Sequence, residues 1–143
     1  RGILRTDFFS KRKGSIMDFK GRKVLLVDDE SGIRRILRIF LEVDGFSVIE
    51  AANAQQAFRA VEEEKPEVVI LDVILFGTTG FEICEKIKSD PHTRDIYVIL
   101  FTALTKDSDI AEGERVGADL YLMKPLNPKD IVERVKEYFL QKA

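Results

Sequence analysis

Five polar residues with the chemistry to bind a cation or an oxyanion each follow a short apolar run of the sequence. Asp28 and Asp29 come after VLLV, Asp72 after VVIL, Thr102 after VILF and Lys124 after YLM. Carboxylate oxygens are hard ligands that suit Mg²⁺, and Mn²⁺ can substitute in such a site. A lysine and a hydroxyl supply the donors that an oxyanion needs. The set therefore suggests a charge-balanced site.

Each of these residues also has an ordinary explanation when it is taken alone. An aspartate before a helix favours its positive N-terminus, and an aspartate at the end of a strand can form a turn. A threonine is a common strand former, and a lysine is usually a solvated charge. A common binding site is favoured only if all five residues lie on the same edge of one sheet. The predicted strands and helices therefore decide between a site and these ordinary explanations.

Two alternating patterns predict the elements that position these side chains. Short apolar runs rich in β-branched residues predict five strands, at 24–27, 47–51, 68–73, 97–101 and 120–123. Helical spacing of apolar residues separates them, at 33–41, 54–61, 83–87, 110–116 and 131–139.

This (βα)₅ alternation predicts an α/β fold, a flavodoxin-like three-layer sandwich with a parallel five-stranded sheet in the order 2-1-3-4-5. In that order strands 1 and 3 are neighbours, so Asp28, Asp29 and Asp72 should converge at the carboxyl edge. Ligands of such sheets bind beyond that edge, where the strand order reverses.

Composition limits the function classes. A chain of 143 residues that is 45% hydrophobic suffices for one domain, and its net charge of −2 argues against a dedicated nucleic-acid binder. Cys84 is the one cysteine, which excludes an internal disulfide and predicts a reducing, cytoplasmic location. No apolar run approaches the ~18 residues that a membrane span requires.

The first residues differ from the rest of the chain. Five of residues 1–16 are basic and one is acidic, and Met17 stands inside the chain. We expect residues 1–16 to be a basic N-terminal tail, disordered or added to the natural protein, and Met17 to be the natural start. A nucleic-acid or membrane arm is the alternative for this tail. Residues 17–143 are predicted to form a single domain.

The sequence lacks the residues that several enzyme classes require. His92 is the one histidine and stands beside a loop proline, so the chain has no Ser-His-Asp arrangement, and it has no Cys/His cluster for zinc. The phosphate-binding loop GxxxxGK[ST] is also missing. A carboxylate nucleophile at Asp72, assisted by a divalent cation, Lys124 and Thr102, fits phosphoryl transfer, in which positioning and charge neutralisation do most of the catalysis.

Four motifs in order, VLLVDDE, LDVILFGTTG, FTA and KP, resemble the receiver domain of bacterial two-component response regulators. The likeness spans residues 22–140 and implies the CheY-like form of the predicted fold. It also implies that Asp72 is the phosphoacceptor and that Asp28 and Asp29 are the acidic metal pair. The backbone carbonyl of Ile74 would be a further metal ligand.

The resemblance implies a switch as well. Thr102 and Lys124 would contact the phosphoryl group, Thr102 would move toward it, and the ring of Tyr121 would rotate inward. These movements would reshape the surface of the fourth helix, the fifth strand and the fifth helix. In relatives the bond that corresponds to Lys124–Pro125 is often cis.

Partners also follow from the resemblance. The donor would be a sensor histidine kinase or a phosphotransfer protein. The output would be an unidentified target or effector domain, with a homodimer as a further option. The domain itself would bind neither nucleic acid nor membrane directly.

The sequence departs from the family pattern near the acceptor. Phe76 stands where the family usually has proline, and Thr78–Thr79 replaces a common Met-x-Asp before Gly80. These changes alter the loop that faces the kinase.

Ile74 and Leu104 are apolar at positions that influence how fast water removes the phosphoryl group in relatives. Neither side chain can orient a water molecule, so slow dephosphorylation is predicted.

Two rival functions remain open at this point. A haloacid-dehalogenase-type phosphatase also phosphorylates an aspartate at a strand end, but it carries a second aspartate two residues later, where this chain has Ile74. A pseudo-receiver that acts only as a binding module would have lost part of the acidic set, all of which is present here.

Overall fold

Five parallel strands alternate with five helices in residues 19–142, the part of the chain that the computed structural model describes. The tail predicted for residues 1–16 and the start predicted at Met17 lie outside the described residues. No helix within 19–142 has the length and hydropathy of a membrane-spanning segment.

The elements have the following bounds. The strands are β1 (Lys23–Val27), β2 (Ser47–Ala51), β3 (Val68–Leu71), β4 (Tyr97–Thr102) and β5 (Leu120–Met123). The helices are α1 (Ser31–Val43), α2 (Ala54–Glu64), α3 (Gly80–Ser89), α4 (Asp107–Arg115) and α5 (Pro128–Lys142). Between β3 and α3, Ile74–Leu75 pairs antiparallel with Thr78–Thr79, and we call this unit the 74–79 hairpin.

The sheet has the order β2-β1-β3-β4-β5 with all neighbours parallel. The predicted fold and strand order are therefore confirmed. In β1, Leu25 and Val27 enter the core under α2 and α3, whereas Val24 and Leu26 enter the core under α1 and α5. Because helices cover both faces, the strands read as continuous apolar runs, as parallel strands do.

The third strand is shorter than predicted. It ends at Leu71 and not at Val73. The Val73 carbonyl accepts a hydrogen bond from the Gly80 amide at 2.8 Å, so the start of α3, and not a neighbouring strand, satisfies this group.

Local capping explains where two helices begin. The Thr79 side chain accepts a hydrogen bond from the Glu82 amide, and the Asn53 side chain accepts one from the Gln56 amide. The cap by Thr79 sets the start of α3 directly after the hairpin, which fixes the segment that follows Asp72.

Candidate acidic site at the carboxyl edge of the sheet

Three carboxylates meet at the carboxyl edge of β1 and β3. One ligand oxygen from each of Asp28, Asp29 and Asp72 lies within 4.8 Å of the others. The contact arises because β1 and β3 are paired up to Val27 and Leu71, so the residues that follow them leave the sheet side by side. Asp28 and Asp72 are buried, whereas Asp29 is exposed.

Lys124 reaches this group from the end of β5. Its Nζ donates hydrogen bonds of 3.0 Å to Asp28 Oδ2 and 3.0 Å to Asp72 Oδ2. The ammonium group also lies 5.3 Å from the centroid of the Phe101 ring, which is close enough for a cation–π contact. One lysine therefore bridges two buried carboxylates.

Burial and charge have opposing effects on these groups. Burial raises the pKa of Asp28, and the Glu30 amide and Lys124 offset only part of this rise. Burial alone would lower the pKa of Lys124, but its hydrogen bonds and charge interactions with Asp28 and Asp72 outweigh that effect and leave the pKa raised. Lys124 is accordingly held in its charged form as the counter-ion of the pocket.

Backbone amides orient both buried carboxylates. The Glu30 amide donates to Asp28 Oδ1 at 2.9 Å, and the Ile74 amide donates to Asp72 Oδ1 at 3.1 Å. In each aspartate one oxygen thus faces a backbone donor and the other faces Lys124. This leaves little rotational freedom to either side chain.

Arg34 supports the site and was missed by the sequence reasoning. Its Nη1 donates to the Asp28 carbonyl at 2.5 Å, and its Nε donates to Glu50 at 2.9 Å. Arg38 holds the other oxygen of Glu50 at 2.6 Å. The sequence feature that could have indicated this role is the position of Arg34, a basic residue in the first turns of the helix that follows the acidic pair.

Thr102 is the last residue of β4, and Tyr121 lies within the neighbouring strand β5. Thr102 is fully buried, and its hydroxyl accepts a hydrogen bond of 3.4 Å from the Leu104 amide. The Tyr121 hydroxyl donates to the Leu104 carbonyl at 2.8 Å, so its ring is turned toward the loop between β4 and α4. The Lys124–Pro125 peptide bond is cis.

Gly80 packs directly on the backbone of Asp72, a contact the sequence reasoning also missed. A Cβ at this position would lie 2.2 Å from the Asp72 carbonyl oxygen and 2.8 Å from the Val73 Cα. Only glycine allows the first residue of α3 to come this close. The sequence feature that could have indicated this contact is the place of Gly80 at the end of the motif LDVILFGTTG, directly before a predicted helix.

The donor set of the pocket fits a hard divalent cation. Three carboxylates in a partly open site provide oxygen ligands of the kind that Mg²⁺ and Mn²⁺ prefer, and few enough to leave positions for water. Within residues 19–142 no other cluster of three His, Cys, Asp or Glu side chains is close enough to hold a metal ion.

Comparisons with a family model and with known proteins identify the same family. The family model described as response regulator receiver domain matches residues 24–136. The phosphate regulon transcriptional regulatory protein PhoB of Pseudomonas aeruginosa is 40% identical over 116 residues, which are 81% of this chain and 51% of that protein. The probable transcriptional regulator ycf27 of Pyropia yezoensis is 36% identical over 120 residues, 84% of this chain and 48% of that protein. The chain thus spans about half the length of these curated relatives.

Solved structures of receiver domains are similar to this chain in fold. A CheY-like response regulator receiver domain protein from Methanospirillum hungatei has a TM-score of 0.80 at 29% identity, covering 85% of this chain and 96% of that one. The BeF3-activated receiver domain of DrrB has a TM-score of 0.75 at 34% identity, covering 85% of this chain and 98% of that one.

Proposed function

The chain belongs to the response regulator receiver domain family, and from this membership we propose that Asp72 accepts a phosphoryl group from a phosphohistidine on a sensor histidine kinase or a phosphotransfer protein. The observation that carries the proposal is the bridge from Lys124 to Asp72 and Asp28 beside a third carboxylate. Such a pocket suits the arrival of a further negative group, because its own negative charge is already partly neutralised.

The transfer needs a nucleophile, a leaving group and charge compensation. A carboxylate oxygen of Asp72 attacks the phosphorus, the phosphorus–nitrogen bond breaks, and the donor imidazole leaves with the electron pair and takes up a proton. Mg²⁺, or Mn²⁺ in its place, would be held by four groups, namely the carboxylates of Asp28, Asp29 and Asp72 and the carbonyl of Ile74. The bound cation would add positive charge at the phosphoryl oxygens.

Lys124 and Thr102 act on the product. Lys124 already contacts Asp72 at 3.0 Å, and its flexible stem lets the ammonium follow the charge to a phosphoryl oxygen. The Thr102 hydroxyl would donate a hydrogen bond to another such oxygen. It would thereby give up its contact with the Leu104 amide, which is long at 3.4 Å.

The switch that we propose passes through Tyr121. Its hydroxyl is bonded to the carbonyl of Leu104, two residues after Thr102. A movement of Thr102 would therefore be transmitted to the ring of Tyr121 and to the surface of α4, β5 and α5. That surface is the proposed contact for a downstream target or for a second copy of the chain.

We also propose that the phosphorylated state decays slowly. Ile74 is half exposed beside Asp72, and Leu104 is partly buried beyond Thr102. Neither apolar side chain can accept or donate a hydrogen bond to an attacking water molecule. Water that reaches the phosphorus would thus lack an orienting group at these two positions.

The wider setting of the domain is also a proposal. Residues 17–143 would be the receiver and residues 1–16 a basic tail. The curated relatives are named as transcriptional regulators and are about twice as long as the matched segment, so we propose that this receiver controls a transcriptional output without itself binding nucleic acid. A cytoplasmic location is proposed because a chain with one cysteine has no internal disulfide.

Phosphorylation by acetyl phosphate tests the proposed function. With Mg²⁺ present, the intact mass of the unsubstituted chain should rise by one phosphoryl group, and this rise should vanish in Asp72→Asn and after chelation of the metal ion. Asp95→Asn, a change of an exposed aspartate away from the site, should behave like the unsubstituted chain. No mass gain in the unsubstituted chain would favour a binding module, and repeated turnover of a phosphate ester would favour a phosphatase.

A further inference from the structure

Two arginines of α1 bind one glutamate of β2 beside the acidic pocket. Arg34 Nε donates to Glu50 Oε1 at 2.9 Å, and Arg38 Nη1 donates to Glu50 Oε2 at 2.6 Å. The arginines are four residues apart, so their side chains lie on the same face of the helix. Glu50 pairs with Leu26 of β1 and shares its face of the sheet, the face that α1 covers. The glutamate thus joins the start of α1 to the sheet.

The contact between Arg34 and Glu50 is partly buried and fully charged. The side chain of Arg34 is 15% exposed and that of Glu50 is 26% exposed. Burial alone would raise the pKa of Glu50, but its hydrogen bonds with Arg38 and Arg34 outweigh burial and leave the pKa lowered. Hydrogen bonds between two charged groups are shorter and stronger than neutral ones. One side of the Arg34 guanidinium is therefore firmly held.

The other side of the guanidinium holds the backbone between two of the three carboxylates. Arg34 Nη1 donates to the Asp28 carbonyl at 2.5 Å. This carbonyl belongs to the planar peptide group that joins Asp28 to Asp29. Among residues 19–142, no backbone amide donates to the same carbonyl. The orientation of the peptide group between the two acidic residues therefore depends on Arg34.

Building on the proposed function, we propose that Arg34 is a positioning residue that sets the affinity of the acidic pocket for its divalent cation, because it fixes the peptide group between Asp28 and Asp29. The Asp28 side chain is also held by the Glu30 amide and by Lys124. Asp29 is exposed, so the direction of its carboxylate depends on the backbone that carries it. Removal of a group that orients metal ligands typically weakens metal binding about 10–100-fold.

The charge of Arg34 alone predicts the opposite effect. A positive group beside a metal site repels the metal ion, so removal of the guanidinium would strengthen binding of the cation if charge alone mattered. Loss of the hydrogen bond to the Asp28 carbonyl would weaken it instead. The sign of the change in affinity therefore distinguishes a positioning residue from a nearby charge.

Direct binding of Mn²⁺ tests this proposal without any phosphorylation. Electron paramagnetic resonance measures the Mn²⁺ that remains free as the purified chain is titrated. Arg34→Met keeps a flexible apolar stem but loses both hydrogen bonds, and its Kd for Mn²⁺ should rise about tenfold or more. Arg34→Lys keeps the charge, but an ammonium lacks the planar fork that contacts Glu50 and the Asp28 carbonyl together, so its Kd should rise about threefold.

Arg35→Met is the matched control. Arg35 is the next residue of α1 and is exposed, so the substitution removes the same charge without touching the Asp28 carbonyl. Its Kd for Mn²⁺ should stay within about twofold of that of the unsubstituted chain, because solvent and salt screen an exposed charge.

The Mg²⁺ dependence of phosphorylation by acetyl phosphate gives a second readout. In Arg34→Met the half-saturating concentration of Mg²⁺ should rise in parallel with the Kd for Mn²⁺. The rate at saturating Mg²⁺ should change less than about threefold, since Asp72 and Lys124 keep their mutual contact. A purely structural role of Arg34 would lower the Tm of the domain and leave the half-saturating concentration unchanged.

Three results would overturn the proposal. An unchanged or lower Kd in Arg34→Met would show that Arg34 acts through its charge or on stability alone. An unchanged Kd in Arg34→Lys would do the same, and this variant decides the matter if Arg34→Met does not fold. Absence of Mn²⁺ binding and of phosphorylation in the unsubstituted chain would refute the proposed function as well, whereas normal binding in all variants would refute the role of Arg34 alone.

Discussion

Replacing Gly80 by alanine should lower the stability of the domain and displace Asp72, the proposed phosphoacceptor. The new Cβ would lie 2.2 Å from the Asp72 carbonyl oxygen, whereas real contacts of this kind are not found under 3.0 Å. The start of α3 and the end of β3 must therefore separate by about 0.8 Å. The clashing atoms belong to the backbone, so no side-chain rotation can relieve the contact.

The expected loss follows from this geometry. Overpacking in a well-packed interior costs about 1–3 kcal/mol, and a clash between backbone segments belongs at the upper end. We expect about 3 kcal/mol of lost unfolding free energy. The displacement also strains the hydrogen bond of 2.8 Å from the Gly80 amide to the Val73 carbonyl. Phosphorylation of Asp72 by acetyl phosphate should slow as a second effect.

Gly32→Ala is the matched control. Gly32 lies in the first turn of α1, where an added Cβ would have no heavy atom within 4 Å. The same substitution should there be neutral or stabilise the domain by up to about 1 kcal/mol, because alanine restricts the unfolded chain.

Equilibrium unfolding in urea measures both variants, with the midpoints compared at an unchanged m-value. A Gly80→Ala domain within about 0.5 kcal/mol of the unsubstituted one, a shift no larger than that of an ordinary surface substitution, would refute the close-contact reasoning.

Three further predictions concern single side chains. Ile74→Asn should shorten the lifetime of the phosphorylated state about tenfold, because an amide can orient water; equal decay of the two phosphorylated proteins would contradict this. Lys124→Met leaves the buried carboxylates of Asp28 and Asp72 without a counter-ion, so the domain should lose about 3 kcal/mol or more without metal. Mg²⁺ should then raise its Tm more than that of the unsubstituted chain, and an equal rise would count against the bridge. Burial raises the pKa of Cys84 to about 12, so the native thiol should resist disulfide reagents at mildly alkaline pH and react only after unfolding; rapid labelling of folded protein would disprove this.

The strand order could be predicted because apolar runs and helical spacing alternate without interruption. The positions of the carboxylates followed from that order, since parallel strands that pair as Val24–Val27 and Val68–Leu71 do must end side by side. The edge of the sheet at which the three carboxylates meet could thus be predicted from residue types and strand order.

The contacts within the site could not be predicted in the same way. In the sequence, Arg34 is one of several charged residues of α1 and nothing distinguishes it. In the structure, its guanidinium contacts the Asp28 carbonyl. The packing of Gly80 on Asp72 depends on the angle at which α3 leaves the hairpin. The 74–79 hairpin itself has two pairs of residues, too few for a strand pattern, so the exposure of Phe76 was not foreseen.

Chemical mapping of the phosphorylated residue tests the central claim most directly. The chain is treated with acetyl phosphate and Mg²⁺, and the acyl phosphate is then reduced with borohydride, which converts the modified aspartate to homoserine. Peptide mass spectrometry should find homoserine at position 72 and unchanged aspartate at positions 28 and 29. Homoserine at either of those positions, or at none in the chain, would contradict the assignment of Asp72 as the phosphoacceptor.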